Sequence, residues 1–281
     1  MRFTGFMATA AVIALSLAGC GGSSTQSSTS TTSGAAPSPV KVGLTYQPSG
    51  TVTLNWDPQT KNVTAKLQMA GFTPGSSHAM HIHQQGCGNP GDVIVPFPDV
   101  TADGGGAINT TVTGTAPLPP GLTAGTSLNI HLASGAQLGG PGQLGFTQIV
   151  CGDINGAAPT TLTMAPVGPP PQGSATLTYD PQKKTLTVET TASGLVPSSA
   201  HAEHIHLGTC TAQGAVKYPL NDLVASANGT AQVTTVVQNV DQAPPASGWY
   251  LNAHLGSSGQ ILQNGKPTLY FQPLICGNIG T

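Results

Sequence analysis

Two short windows hold six of the eight histidines in this sequence. The first is HAMHIHQQGC at residues 78–87, and the second is HAEHIHLGTC at residues 201–210. Their histidines are His78, His81 and His83 in the first window and His201, His204 and His206 in the second. Neutral imidazole nitrogens suit copper and zinc, and residues two apart on a strand point the same way. The His-x-His spacing therefore predicts a pair of metal ligands in each window.

The two windows belong to a long internal repeat. An offset of 123 residues, the distance from His78 to His201, also carries Asn129-Ile130-His131 onto Asn252-Ala253-His254. A period this long is typical of a duplicated domain, because solenoid units are roughly 20–50 residues long. The sequence therefore predicts a first domain at residues 41–155, a Pro- and Gly-rich linker at 156–173 and a second domain at 174–281.

A later strand in each copy supplies a third histidine. Leu128 and Ile130 alternate with Asn129 and His131, so the apolar pair should face the core and the polar pair should face outward. We expect the resulting trios on the outer face of each domain, where they could hold copper or zinc. The predicted metal ligands are His81, His83 and His131 in the first copy, and His204, His206 and His254 in the second.

Composition and periodicity predict an all-β protein. Charged residues make up only 6% of the chain, with 37 glycines and 24 prolines, which favours short strands joined by turns. Apolar residues alternate with polar ones before and after the turns at residues 57–62 and 180–184, as in antiparallel sandwiches. The net charge is −2 and Arg2 is the only arginine, so the sequence offers no basic surface for nucleic acid.

Four of the five cysteines fall inside the two repeats. Four cysteines allow three pairings, and the repeat favours Cys87 with Cys151 and Cys210 with Cys276. Disulfides of this kind are typical of an oxidising exterior. In the chain-entropy model, closing each loop would stabilise the folded protein by about 4 kcal/mol.

The first forty residues predict export and anchoring. Residues 1–20 combine a basic start, an apolar stretch and small residues before Cys20, as in a signal peptide. The run LAGC resembles the bacterial lipobox, which implies lipidation of Cys20 and a membrane-anchored lipoprotein facing the periplasm or the cell exterior. Residues 21–40 are rich in Ser, Thr and Gly and should form a disordered tether.

The histidine windows, the later strand histidines and the endings CGDI and CGNI resemble the Cu/Zn superoxide dismutases and the related chordin-type (CHRD) domains. The resemblance implies two tandem Greek-key, immunoglobulin-like sandwiches that bind copper through the six predicted ligands, with His78 and His201 in structural roles. It also implies an arginine before the final cysteine, where this chain has Gln148 and Pro273. The bridging histidine and the zinc ligands of the dismutases are missing, so zinc is not expected as a second metal.

Three functions follow from these patterns. The first is copper binding at the cell envelope, the second is copper-dependent superoxide dismutation, and the third is a non-catalytic surface module with unknown protein partners, in which the trios only form hydrogen bonds. Whether the chain is an enzyme stays open. Asp99 and Asp222 correspond in the repeat and could orient a ligand or cap a turn, whereas Glu203 replaces Met80 without a counterpart.

Overall fold

The structure is a computed structural model that describes residues 38–140 and 143–280. The predicted signal peptide, Cys20 and most of the predicted tether lie outside the described residues. The strands of the first half are β1 (Val40–Tyr46), β2 (Ser49–Trp56), β3 (Val63–Ala70), β4 (Ser77–His78), β5 (Met80–His83), β6 (Val93–Pro96), β7 (Val100–Thr101), β8 (Ile108–Thr113), β9 (Thr126–His131), β10 (Gln148–Ile154) and β11 (Thr160–Met164).

The second half repeats this order with longer strands around its histidine window. Its strands are β12 (Gln172–Asp180), β13 (Thr185–Ser193), β14 (Ala200–His201), β15 (Glu203–Thr209), β16 (Ala212–Pro219), β17 (Leu223–Val224), β18 (Ala231–Val237), β19 (Trp249–His254), β20 (Leu262–Gln263), β21 (Lys266–Pro267) and β22 (Pro273–Ile279). Helical structure in the described part is limited to short 3-10 turns at Gly135–Gln137, Leu144–Phe146 and Leu269–Phe271. No helix among the described residues is long and apolar enough to span a membrane.

Alternating burial along the strands explains why they pair as sandwich layers. On β3, Val63, Ala65, Leu67 and Met69 are buried while the residues between them are more exposed. The corresponding strand β13 buries every second residue in the same way. Because strand side chains alternate between faces, each such strand covers a core with one face only. The predicted all-β, antiparallel sandwich architecture is confirmed.

The first sandwich consists of two four-stranded sheets, with strand orders β10-β9-β5-β6 and β11-β2-β3-β8. Its core draws Met80, Ile82, Leu128 and Ile130 from one sheet and Leu54 and Leu67 from the other, together with further apolar residues. The strands that carry the predicted ligands, β5 and β9, are therefore central neighbours whose inward side chains are held in the core.

The second sandwich is built from one eight-stranded sheet with the order β16-β15-β19-β22-β1-β12-β13-β18. The two halves of this order correspond to the two sheets of the first sandwich, and β1 joins them by pairing with both β22 and β12. The ligand-bearing strands β15 and β19 are again neighbours.

The strands β1 and β11 are exchanged between the repeats. β1 precedes the first sandwich in sequence but completes the second, whereas β11 precedes the second sandwich but pairs with β2 of the first. The segment 156–173, which the sequence predicts as a linker, therefore contains a strand of the first sandwich. Residues 165–171 alone connect β11 to β12.

A disulfide lies in each sandwich and joins the loop after the first ligand strand to the last long strand. The pairs are Cys87–Cys151 and Cys210–Cys276, which are the pairings that the repeat favours. Their sequence separations are 64 and 66 residues.

Candidate metal centre

The first trio is assembled by two adjacent strands. His81 and His83 lie on β5, and His131 ends β9. The strands pair so that Met80 is opposite Ile130 and His81 is opposite Asn129. Because Met80 and Ile130 enter the core, the histidines of the trio share the opposite face of the sheet.

The imidazoles of the first trio are close enough to share one ion. One ring nitrogen of each of the three lies within 4.8 Å of the others. The ring centroids of His81 and His131 are 5.2 Å apart, and His83 lies 5.8 Å from His81 and 6.1 Å from His131.

The second trio has the same construction. His204 and His206 lie on β15, His254 ends β19, and one nitrogen of each lies within 4.8 Å of the others. The ring centroids are 5.0 Å apart between His204 and His254, 5.5 Å between His204 and His206, and 5.8 Å between His206 and His254. The structure therefore brings together all six predicted ligands in two groups of three.

Backbone carbonyls orient two rings in each trio. In the first, the Nδ1 of His83 donates to the carbonyl of Gly91 (3.0 Å) and that of His131 to Phe146 (2.9 Å). In the second, the corresponding partners are Gly214 for His206 (3.0 Å) and Phe271 for His254 (2.7 Å). With the proton on Nδ1, the Nε2 of each ring keeps its lone pair for a metal.

The nitrogens that face the centre of the first trio lack partners. Nδ1 of His81, Nε2 of His83 and Nε2 of His131 are buried without a hydrogen bond, as is Nε2 of His206 in the second trio. A buried polar atom without a partner costs about 1–3 kcal/mol, so a convergent group of them requires an explanation. A cation bound by these nitrogens would explain their arrangement, and the residues therefore fit a copper or zinc ion.

The prediction that the trios lie on an outer, solvent-exposed face is wrong, because most of their rings are buried. The rings do leave the core face, but His83, His131, His206 and His254 are 3% exposed or less. The segments that carry Gly91, Phe146, Gly214 and Phe271 hold these rings through hydrogen bonds, so the outward face of each sheet is covered by chain. Only His81 and His204 are half-buried and mark the solvent side of each site.

Burial keeps five of the trio imidazoles neutral. Desolvation, reinforced by the neighbouring imidazoles, lowers the pKa of His81 and of His204 to about 4 and that of His254 to about 3. Desolvation also lowers the pKa of His131 and His206. Since metals bind the neutral ring, these five histidines are in a ligating protonation state at neutral pH.

The two trios differ in one hydrogen bond between their histidines and in one side chain that packs beside them. In the second, the Nδ1 of His204 lies 3.0 Å from the Nε2 of His254 and forms a hydrogen bond with it. The Tyr250 ring also stacks on His206, with centroids 4.9 Å apart and planes 21° apart. The first copy has Ser127 at the position of Tyr250, and its hydroxyl donates to Gln85.

His78 and His201 bind protein rather than completing either trio. The Nδ1 of His78 donates to the His131 carbonyl (2.9 Å) and its Nε2 bonds to the Ser76 hydroxyl (2.6 Å). His201 makes the equivalent contacts with the His254 carbonyl and Ser199. Both histidines therefore fix the backbone of a predicted ligand residue.

The carboxylates that the sequence singles out do not enter the trios. Asp99 accepts hydrogen bonds from the Gly135 N–H, and Asp222 accepts them from the N–H and hydroxyl of Ser258. Glu203 points away from His204 into the second core, where it is 1% exposed. The aspartates therefore cap loops, and Glu203 is a buried core carboxyl.

Sequence reasoning missed the backbone acceptors and two buried asparagines. Asn129 and Asn252 each precede a ligand histidine by two residues, and both have side-chain nitrogen and oxygen atoms that are buried without partners. They correspond under the repeat offset, a signal that does not show that their side chains are buried. The carbonyls carry no such signal, because any residue type could supply them.

The comparison with family models identifies the repeats. The CHRD domain model matches residues 28–141 and 156–260, so the chain belongs to the CHRD domain family. Each matched segment contains one complete trio and the histidine that supports it. A search among curated proteins found no match.

Proposed function

We propose that this chain is an exported, lipid-anchored envelope protein whose two CHRD domains each bind one copper ion. The ligands are His81, His83 and His131 in the first domain and His204, His206 and His254 in the second. The observation that carries the proposal is the convergence of buried, unpartnered ring nitrogens in the first trio, with the same backbone-anchored arrangement in the second.

Charge and protonation support a cation at these positions. The lowered pKa values of His81 and His131 in the first trio, and of all three histidines in the second, mean that a metal need not displace protons from these rings at neutral pH. Imidazole favours the later divalent metals, and copper binds most tightly among the first-row series. A bound copper ion would supply a redox centre and a Lewis acid, while the carbonyls of Gly91, Phe146, Gly214 and Phe271 would keep the ring orientations.

Export and anchoring rest on the sequence of the first twenty residues. The run Leu17-Ala18-Gly19-Cys20 supports lipidation of Cys20, and the disulfides Cys87–Cys151 and Cys210–Cys276 suit an oxidising compartment. Such a protein would present both metal sites outside the cytoplasm. Metabolic labelling with a fatty-acid analogue, lost in Cys20→Ala, tests this part separately from metal binding.

Metal analysis with electron paramagnetic resonance tests the copper sites. We expect the protein from residue 21 onward to hold one copper ion per trio after dialysis, with a nitrogen-coordinated Cu(II) spectrum. His81→Ala and His204→Ala should each remove one ion, and the double variant should remove both. Lys66→Ala is the control, because Lys66 is exposed on β3 in the sheet that carries no trio histidine.

The possible results separate the functions. Loss of copper from the His81→Ala and His204→Ala variants but not from Lys66→Ala would support the proposal. Zinc retained in preference to copper after competitive loading would change the metal but keep the sites. A folded protein that retains neither metal would overturn the proposal and leave a non-catalytic surface module.

Superoxide dismutation is tested on the copper-loaded protein. Fast dismutation depends on electrostatic guidance of an anion, which the dismutases obtain from an arginine before the final cysteine. Gln148 and Pro273 occupy those positions here, and Arg2 is the only arginine in the sequence. We therefore expect copper binding without diffusion-limited dismutation, and a high rate abolished by His81→Ala and His204→Ala would show the enzyme instead.

A further inference from the structure

The exchange of β1 and β11 couples the two halves of the chain. The CHRD model matches β1 as part of the first repeat and β11 as part of the second. In the structure each strand occupies the equivalent place in the other sandwich, since β1 pairs with β12 and β11 pairs with β2. Each sandwich is therefore completed by a strand from the other repeat.

The contacts of β1 with the second sandwich are extensive. Residues from Val40 to Thr45 pair with β12, and Thr45 and Tyr46 pair with β22. Val42 and Leu44 are 4% and 1% exposed and belong to the second core. The Gln47 side chain also donates to the Cys276 carbonyl (3.2 Å). Without β1, two strands of the second sandwich would each expose an unpaired edge.

The first sandwich takes no strand from β1, although Tyr46 at the end of β1 packs against the first core and donates to the Ile149 carbonyl. Its equivalent place is filled by β11, which follows β10 after residues 155–159 and buries Leu162 and Met164 in the first core. The alternation of apolar residues in β1 and β11 suits the same kind of cleft. β1 can therefore leave the second sandwich while the first sandwich stays complete.

The two connections of the exchanged region differ in length and character. β1 is joined to β2 by Gln47 and Pro48 only, so β1 must move together with the first sandwich. The connection from β11 to β12 spans residues 165–171 and contains Pro169, Pro170 and Pro171. Ala165 is bonded to Cys151 in both directions and stays with the first sandwich. The prolines have no N–H to donate and favour an extended backbone, so residues 166–171 can follow a different path.

We propose that two copies of this chain associate by strand exchange, with the β1 strand of each copy completing the second sandwich of the other. The surface involved is the cleft between β12 and β22, and its partner is the apolar β1 segment of a second copy. The connection at residues 166–171 is the hinge. Every contact of β1 is the same within one chain and between two, so concentration decides between the two forms.

The same interface extends beyond the strand. The backbone N–H and hydroxyl of Thr73 donate to the Gln272 side chain at 3.2 and 3.1 Å, and Gln272 donates to the Gly71 carbonyl. Because the short β1–β2 connection fixes the first sandwich next to the cleft, an exchanged pair would keep these contacts between copies.

Cysteine pairs across β1 and β12 test the exchange in the full mature chain. Lys41 is opposite Thr176 in the register, and both side chains lie on the outward face. Lys41→Cys and Thr176→Cys in one chain should give a monomeric cross-link, which checks the geometry. Two differently tagged chains, one with each single substitution, should form a disulfide-linked heterodimer when they are co-expressed in an oxidising compartment.

The control replaces Thr176→Cys by Thr187→Cys on β13, which does not neighbour β1. We expect a heterodimer band on a non-reducing gel for the Lys41 and Thr176 pair that is several-fold stronger than for this control. Equal bands would show random thiol contact and overturn the proposal. A cross-link in the double variant with no heterodimer from the paired single variants would show that β1 stays in its own chain.

Discussion

The two histidine trios are more alike than the cores behind them. Both trios use the same strand positions and the same backbone anchors, with Gly91 and Gly214 in equivalent places. Behind them, three apolar residues of the first half have polar counterparts in the second under the repeat offset. Met80, Leu67 and Val112 correspond to Glu203, Thr190 and Thr235.

This difference shows which part of the structure determines the trio. A carboxyl behind His204 and a tyrosine beside His206 leave the ring separations within a few tenths of an ångström of those in the first copy. The strand register and the loop carbonyls therefore position the histidines, and the core residues behind them can differ without moving the rings. The second core nevertheless carries the cost of a buried carboxyl.

Removal of a disulfide should have the largest effect on the free energy of unfolding, and the effect should be similar in the two halves. The Cys87→Ala, Cys151→Ala double variant and its counterpart at Cys210 and Cys276 each open a loop of similar length. We expect each to lower the free energy of unfolding by about 4 kcal/mol. Urea denaturation measures the loss, and a clearly larger loss in the second half would reveal the packing of that disulfide against Tyr250.

Glu203→Met gives the second core the residue of the first and should stabilise it at neutral and higher pH. Desolvation raises the pKa of Glu203 from 4.5 to about 7, and the nearby Thr190 hydroxyl opposes this rise without a well-formed hydrogen bond. The folded protein therefore binds more protons than the unfolded chain between these values. The Glu203 contribution to stability falls as pH rises through this window and is constant above it.

The stability gained by Glu203→Met over the parent should be about 3 kcal/mol larger at pH 8 than near pH 4.5. Thermal or urea unfolding of metal-free protein across this range measures it. Glu189→Met, which replaces an exposed carboxylate on β13, is the control and should not reproduce the pH dependence. A pH-independent gain in Glu203→Met would mean that the carboxyl is hydrated in the folded state.

The trios and the sandwich class could be predicted from the sequence, because both follow from spacing. His81 and His83 share a face by strand periodicity, and the repeat offset links His131 to His254. The burial of these rings could not be predicted, since it depends on covering segments around Gly91 and Phe146 that have no periodic pattern.

The exchange of β1 and β11 between the two sandwiches of one chain could not be predicted either, for a different reason. β1 and β11 have similar alternation, so each could fill either cleft, and only the path of the whole chain decides between them. Each polar residue of the second core can be identified in the sequence by comparison with its counterpart in the first repeat. Their common inward direction needs the register of β13, β15 and β18, which the sequence does not state.

Asp99→Ala and Asp222→Ala should have smaller and equal effects. Each carboxylate caps the loop after a ligand strand by accepting the N–H of Gly135 or Ser258. The loss of one exposed cap costs about 1 kcal/mol in the free energy of unfolding. Both variants should keep their copper content after dialysis, and loss of one ion would show that the carboxylate helps to hold the metal.

Tyr250→Phe should have the smallest effect and gives the sharpest comparison of the two sites. The Tyr250 hydroxyl is buried without a hydrogen-bond partner, whereas its ring stacks on His206. Phenylalanine keeps the stacking and removes only a group that is costly to bury, so we expect the free energy of unfolding to change by less than about 1 kcal/mol or to rise.

The copper affinity of the second site, measured in the His81→Ala background, should also be unchanged in Tyr250→Phe. The Tyr250→Ser variant, which introduces the residue of the first copy, should weaken that affinity because His206 loses the ring packed on its face. If Tyr250→Phe weakened it as much as Tyr250→Ser, the hydroxyl rather than the ring would hold His206. The two sites would then be oriented by different means, by backbone carbonyls alone in the first and by a side-chain hydroxyl as well in the second.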